Sequence, residues 1–152
     1  MPVVPLTLAQ QSAVDRMAAD GDLRPAAADE QHARSFLDQA KIALDDVPHV
    51  THLENKYNLA YKAAHDVGEA MLRAYGYKSK FGAGAHERIG NFLAAIFDTP
   101  PPSEAAAHYE LMRVDRNANH YRARPVTRAT ADQAAMAAQA LYDAARTRII
   151  TK

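Results

Sequence analysis

The chain has 152 residues and a formal net charge of zero, enough for one domain with one core and too little positive charge for a general nucleic-acid coat. It has no cysteine, which excludes disulfides, thiolate zinc sites and cysteine nucleophiles. No apolar run approaches the roughly 18–20 residues needed to cross a bilayer. Met1 to Gln10 lacks the basic lead of a signal peptide, so a cytoplasmic protein is expected.

Hydrophobic residues make up 48% of the sequence, much of it alanine, so the core is expected to rest on close helix approach rather than on bulky side chains. Breaks fall at Gly21, Pro48, Gly76 to Gly84, Pro100 to Pro102 and Pro125, and none of the segments between them alternates like a strand. A first helix is predicted over Leu6 to Ala19. A second runs from Pro25, a good first-turn residue, to Asp46, with Ala33, Phe36, Leu37, Ala40 and Leu44 as its apolar stripe.

The third and longest predicted helix covers Val50 to Tyr75. Its stripe is Tyr57, Ala60, Tyr61, Ala64, Gly68, Met71, Leu72 and Tyr75, and Gly76 sits where a C-terminal cap belongs. The fourth covers Ala85 to Phe97 and carries Ile89, Phe92, Leu93, Ile96 and Phe97. Three prolines then block continuation. Ser103 is the expected N-cap of a fifth helix that runs to Ala123, because Pro125 disfavours the helical state at Arg124. Thr130 with Gln133 suggests a capping box for a last helix through Ile149. The expected fold is all-α: one domain over 1–152, an up-down bundle of five to six helices.

Charge is unevenly spread. Asp15 to Asp46 holds eight acids and four bases, whereas Arg113 to Arg128 holds five arginines and one acid, Asp115. On a helical wheel with Arg113 at zero, His120 lies about 20° and Asn117 about 40° away, on opposite sides. Arg116 and Tyr121 flank them, and Arg124 joins the arc if the helix reaches it. Leu111, Val114, Ala118 and Ala107 form a neighbouring apolar arc expected to face the core. Asp115 lies on the opposite side, so the polar arc's arginines are expected to lack an intrahelical partner.

Guanidiniums grip phosphate oxygens bidentately and keep their charge at neutral pH, and an imidazole takes and gives protons near pH 7. These are the groups that bind and cleave a phosphodiester without a metal. A solvated helix face is the bland alternative. Elsewhere, His49 and His52 have no ligand partners, so no metal site is expected. His65 reads as a packing histidine, His86-Glu87 as first-turn residues, and Tyr57, Tyr61 and Tyr75 as core. Gly82-x-Gly84 lacks a preceding strand and a following GK[ST], so it is no phosphate loop.

Three stretches resemble the bacterial HEPN family, the "higher eukaryotes and prokaryotes nucleotide-binding" helical domain. "NKYNLAYKAAHDVGEAMLRAYGYKSK" resembles its long helix and glycine-tyrosine turn. "GAGAHERIGNFL" resembles the Gly-His opening of the next helix. "LMRVDRNANHYRA" resembles the signature, an arginine followed at four to six residues by histidine. The resemblance covers about Pro25 to Ile149.

It implies a metal-independent, cofactor-free endoribonuclease acting as a homodimer, as in toxin–antitoxin or phage-defence systems. An antitoxin or a Tyr121-modifying nucleotidyltransferase would be its partner. It implies equally an inactive member that binds nucleotide, RNA or a protein. Two alignments of the signature stay open. Arg113 with His120 fits the spacing and the wheel, while Arg116-Asn117 with Tyr121 fits the arginine-polar start. A tyrosine is a poor general base at neutral pH, so the second alignment speaks against catalysis. The implied catalytic residues are Arg113, Arg116, His120 and Tyr121, with Asn117 and Arg124 binding substrate. A third reading is a purely structural helical subunit whose arginine face pairs with a partner's acids.

Overall fold

Helix α3, Leu53–Tyr75, is buried on most of its circumference from Tyr57 to Ala74, so it can be stable only where other helices cover it. The computed structural model describes residues 3–80, 82–122 and 125–149, apart from the side chains of 116–122. Among these, α1 (Leu8–Ala19), α2 (Glu30–Asp46), α4 (Ala85–Ile96), α5 (Pro102–Arg122) and α6 (Arg128–Arg148) complete an all-α, up-down helical bundle. Helices α2 and α6 pack most extensively on α3, and α4 and α5 close its remaining side. No helix among the described residues is long and apolar enough to cross a membrane.

Fully buried alanines line the seams: Ala33 and Ala40 on α2, Ala60, Ala63, Ala64 and Ala70 on α3, and Ala134, Ala138 and Ala145 on α6. With only a methyl group at each, the helix axes approach closely, as the composition implied. The larger core residues, Tyr109, Phe92, Phe97, Met71 and Leu141, fill the remaining space. A Lys56–Asp132 ion pair fastens α3 to α6, and the Tyr57 hydroxyl donates to the Met112 carbonyl of α5 at 3.1 Å.

Several helix ends differ from their predicted places, each because another group caps better. Helix α1 starts after Thr7, whose hydroxyl accepts from the Gln10 N–H while the Gln10 side chain accepts from the Thr7 N–H, a reciprocal box. Pro25 does not open α2. Leu23–Pro25 is a short strand, β1, antiparallel to β2, Tyr77–Ser79. Asp29 caps α2 instead, accepting from the His32 N–H at 2.9 Å.

The extended stretch before that cap has a use. The Ala26 and Asp29 N–H groups donate to the Gly76 and Arg73 carbonyls, at 2.8 and 2.9 Å. They satisfy acceptors that the end of α3 leaves over. Gly76 is left-handed at φ 84°, as its cap role requires, and a Cβ there would stand 2.9 Å from the Ala26 oxygen. Helix α5 begins at Pro102, which loses no hydrogen bond in a first turn, so Ser103 lies inside the helix. Helix α6 is capped by Thr127, not Thr130. The Thr127 hydroxyl accepts from the Thr130 N–H at 3.1 Å.

Two glycines seat α4. A Cβ on Gly68 of α3 would stand 2.2 Å from Ile89 Cγ2, and one on Gly90 would stand 3.1 Å from the Tyr109 ring of α5. In an exposed helix, Gly→Ala gains stability. Here the sign reverses: Gly68→Ala lowers unfolding stability by about 1–3 kcal/mol through overpacking, measured by urea denaturation.

Candidate functional site

Helix α5 is continuous through Arg122, so Arg113, Arg116, Asn117, His120 and Tyr121 keep the register that places them on one arc. Of these, Arg113 is described to its side-chain atoms. The side chains of Arg116, Asn117, His120 and Tyr121, and the whole of Arg124, lie outside the described residues.

The arc predicted to face the core does not do so. Leu111 is 55% and Val114 49% exposed, and Ala107 is also exposed. Among the described residues of α5, the buried ones are Ala105, Ala106, Tyr109 and Met112. On the same wheel all four fall within about 100° of Arg113, and all but Ala106 lie on the side that holds Arg116 and His120. Tyr109, Arg113, Arg116 and His120 thus follow one another at i, i+4, i+7 and i+11 along one stripe. Along this stripe the residue types turn from apolar to polar after Met112. Alanine and valine gave the outer arc an apolar look that burial does not follow.

A second expectation also fails. Arg113 has an intrahelical partner, Glu110, one turn before it. Arg113 Nη2 donates to Glu110 Oε1 at 2.6 Å, and Nε to Oε2 at 3.1 Å, a two-pronged pair. Glu110 precedes the stretch on which the wheel was centred. The hydrogen bond to Glu110 raises the Arg113 pKa above its ordinary value against the opposing effect of burial, and the charges of Glu110 and Glu87 add to the rise. Helix α4, which carries Glu87 in its first turn, packs on α5 where Gly90 meets the Tyr109 ring.

Around Tyr109 four rings close a circuit. The Tyr61 hydroxyl and His86 Nδ1 lie 2.7 Å apart, a hydrogen bond whose donor depends on the imidazole tautomer. The His86 ring stacks on His65 with centroids 4.4 Å apart. His65 Nδ1 stands 3.4 Å from the Tyr109 hydroxyl. Tyr109 and Tyr61 stack with ring centroids 5.3 Å apart. Tyr61 and Tyr109 are buried, His65 is half-buried and His86 is exposed, so the circuit runs from the core to the surface. His65 Nε2 also lies 3.9 Å from Glu69, whose pKa burial pushes up.

Sequence reasoning missed this cluster. Each member has a bland role on its own helix, and only the packing of three helices joins them. The i, i+4 pairs Tyr61–His65 and Tyr109–Arg113 were the available signal. Among the described residues no three His, Asp or Glu side chains converge as metal ligands. In comparisons with known proteins, no family model, curated protein or solved structure matches this chain.

Burial, reinforced by Tyr61, pushes the Tyr109 hydroxyl pKa well above that of an ordinary phenol. A phenol raised in the folded state contributes stability that is whole below the unfolded pKa and fades as pH climbs above about 10. Tyr109→Phe therefore lowers stability at pH 7, by about 1 kcal/mol for a lost buried hydrogen bond, and flattens the decline of Tm between pH 9 and 11.

Proposed function

We propose that this bundle is a metal-independent endoribonuclease of HEPN type. The supporting observation is the stripe on which Tyr109 gives way to Arg113, Arg116 and His120. A helix face that packs in its first half and carries two guanidiniums and an imidazole in its second half suits a cleft floor for a phosphodiester.

In the proposed reaction the RNA 2′-hydroxyl attacks the adjacent phosphorus. The O2′–P bond forms and the P–O5′ bond breaks, leaving a 2′,3′-cyclic phosphate and a 5′-hydroxyl. His120 transfers a proton, Arg113 and Arg116 stabilise the charge gathered on the phosphorane-like transition state, and Asn117, Tyr121 and Arg124 hold the substrate. One helix offers few groups to surround a phosphate, so a homodimer belongs to this reading. Acting on RNA places the chain in the cytoplasm, with an antitoxin or a nucleotidyltransferase as the kind of partner the resemblance implies.

Purified protein incubated with total RNA in EDTA then releases fragments with cyclic-phosphate ends. Arg113→Ala and His120→Ala each cut the rate by about 10²-fold or more. Unchanged cleavage in both variants, or strictly monomeric mass at micromolar concentration, contradicts the reading.

The Glu110 fork on Arg113 favours a second reading, a non-catalytic module that binds nucleotide, RNA or a protein, because a guanidinium already held by a carboxylate has less to give a transition state. Under the nuclease reading Glu110→Gln releases Arg113 to phosphate. It then tightens binding of a fluorescent oligoribonucleotide by up to about fivefold, the equivalent of the ~1 kcal/mol such a partly exposed pair is worth. Under the second reading wild-type protein binds without cutting.

A further inference from the structure

We infer that His86 and His65, on α4 and α3, form a paired general base serving the phosphodiester cleft beside Arg113. This rests on the nuclease reading and adds to it the second proton-transferring group that the reaction needs. Transesterification requires one group to take the 2′-hydroxyl proton and another to give one to the departing O5′. A single imidazole on α5 supplies one of these.

The geometry supports the pair in three ways. Its rings stack at 4.4 Å, and two imidazoliums so close repel, so near neutrality the stack favours holding one proton between two rings. One ring is then left unprotonated, as a base must be. Secondly, each ring is oriented by a buried phenol, His86 by Tyr61 at 2.7 Å and His65 by Tyr109 at 3.4 Å. Rigid partners that fix imidazole orientation are what a proton-transfer group needs. Thirdly, the pair is one residue removed from the arginine: Tyr109, whose hydroxyl stands 3.4 Å from His65, is one turn before Arg113 on the same stripe, and His86 is exposed.

The titratable groups that touch the pair include Tyr61 and Glu69 from α3 and Tyr109 from α5; Glu87 follows His86 on α4, and the Glu110–Arg113 pair lies next along α5. In the step itself, the unprotonated ring takes the 2′-hydroxyl proton as the O2′–P bond forms, and protonated His120 gives its proton to O5′ as the P–O5′ bond breaks. The pair then releases its proton to solvent and His120 takes one back, so no further reactant is consumed.

The test measures kcat and KM for cleavage of a single-stranded oligoribonucleotide in EDTA between pH 5 and 9. It compares wild type with His86→Ala, His65→Ala and Tyr61→Phe, with the exposed His49→Ala as control. Circular dichroism and Tm verify folding. His86→Ala and His65→Ala lower kcat by about 10²–10⁴-fold with KM nearly unchanged, and both flatten the same low-pH limb of a bell-shaped profile. Tyr61→Phe keeps the ring but loses its hydroxyl, and moves a limb of the profile rather than only lowering Tm. Titration of the ring resonances by NMR shows two linked steps in wild type and one simple step in each alanine variant.

Cleavage that survives in both folded alanine variants overturns this inference alone. Independent ring titrations overturn it as well. Wild-type protein that cuts no RNA removes the nuclease reading and the pair together.

Discussion

Helix α4 is seated by two contacts that exist because a side chain is missing. Gly68 lets Ile89 press directly onto the backbone of α3, and Gly90 lets Tyr109 of α5 press onto α4. Both lie in the half of the molecule that carries the candidate site. A methyl group at Gly68 would meet Ile89 at 2.2 Å and push on α4, and with it His86, which stands one turn before Ile89; one at Gly90 would crowd the Tyr109 ring. The His86–His65 and His86–Tyr61 contacts are therefore set by close helix approach rather than by any choice of polar residue. The alanine seams of α2 and α6 hold α3 in the same manner from its other side.

That dependence explains what the sequence conveyed. The stripe of α3 and the five large residues of α4 were legible because a helix repeats its core face every three or four residues, and all of these except Tyr75 are buried. Gly76 was legible because a left-handed cap needs glycine. Pro25, Ser103 and Thr130 were misplaced because several residues near each helix end can cap. The winner is decided by distant groups such as the Arg73 and Gly76 carbonyls.

The fifth helix was harder to orient. Its arc of Ala107, Leu111 and Val114 is as apolar as its true core face of Ala105, Ala106, Tyr109 and Met112, and composition cannot choose between them. The choice is made by the bulk of Tyr109, which fits against Gly90, and by Met112, whose carbonyl receives the Tyr57 hydroxyl. The ring circuit depends on three helices meeting, so no single segment could announce it. Glu110 shows the opposite case. Its pairing with Arg113 is local, three residues apart, and readable from the chain once the helix is drawn far enough back.

The stretch from Ala26 to Asp29, just after β1, is an irregular link on the surface, the sort of segment that ordinarily tolerates added or deleted residues. Here it lends two amides to the end of α3 while β1 before it pairs with β2. Adding one residue would slide both donors past their acceptors and leave carbonyls of the central helix bare. This loop thus has its length dictated from inside the bundle. Its evolutionary freedom lies in side-chain identity, not in insertion.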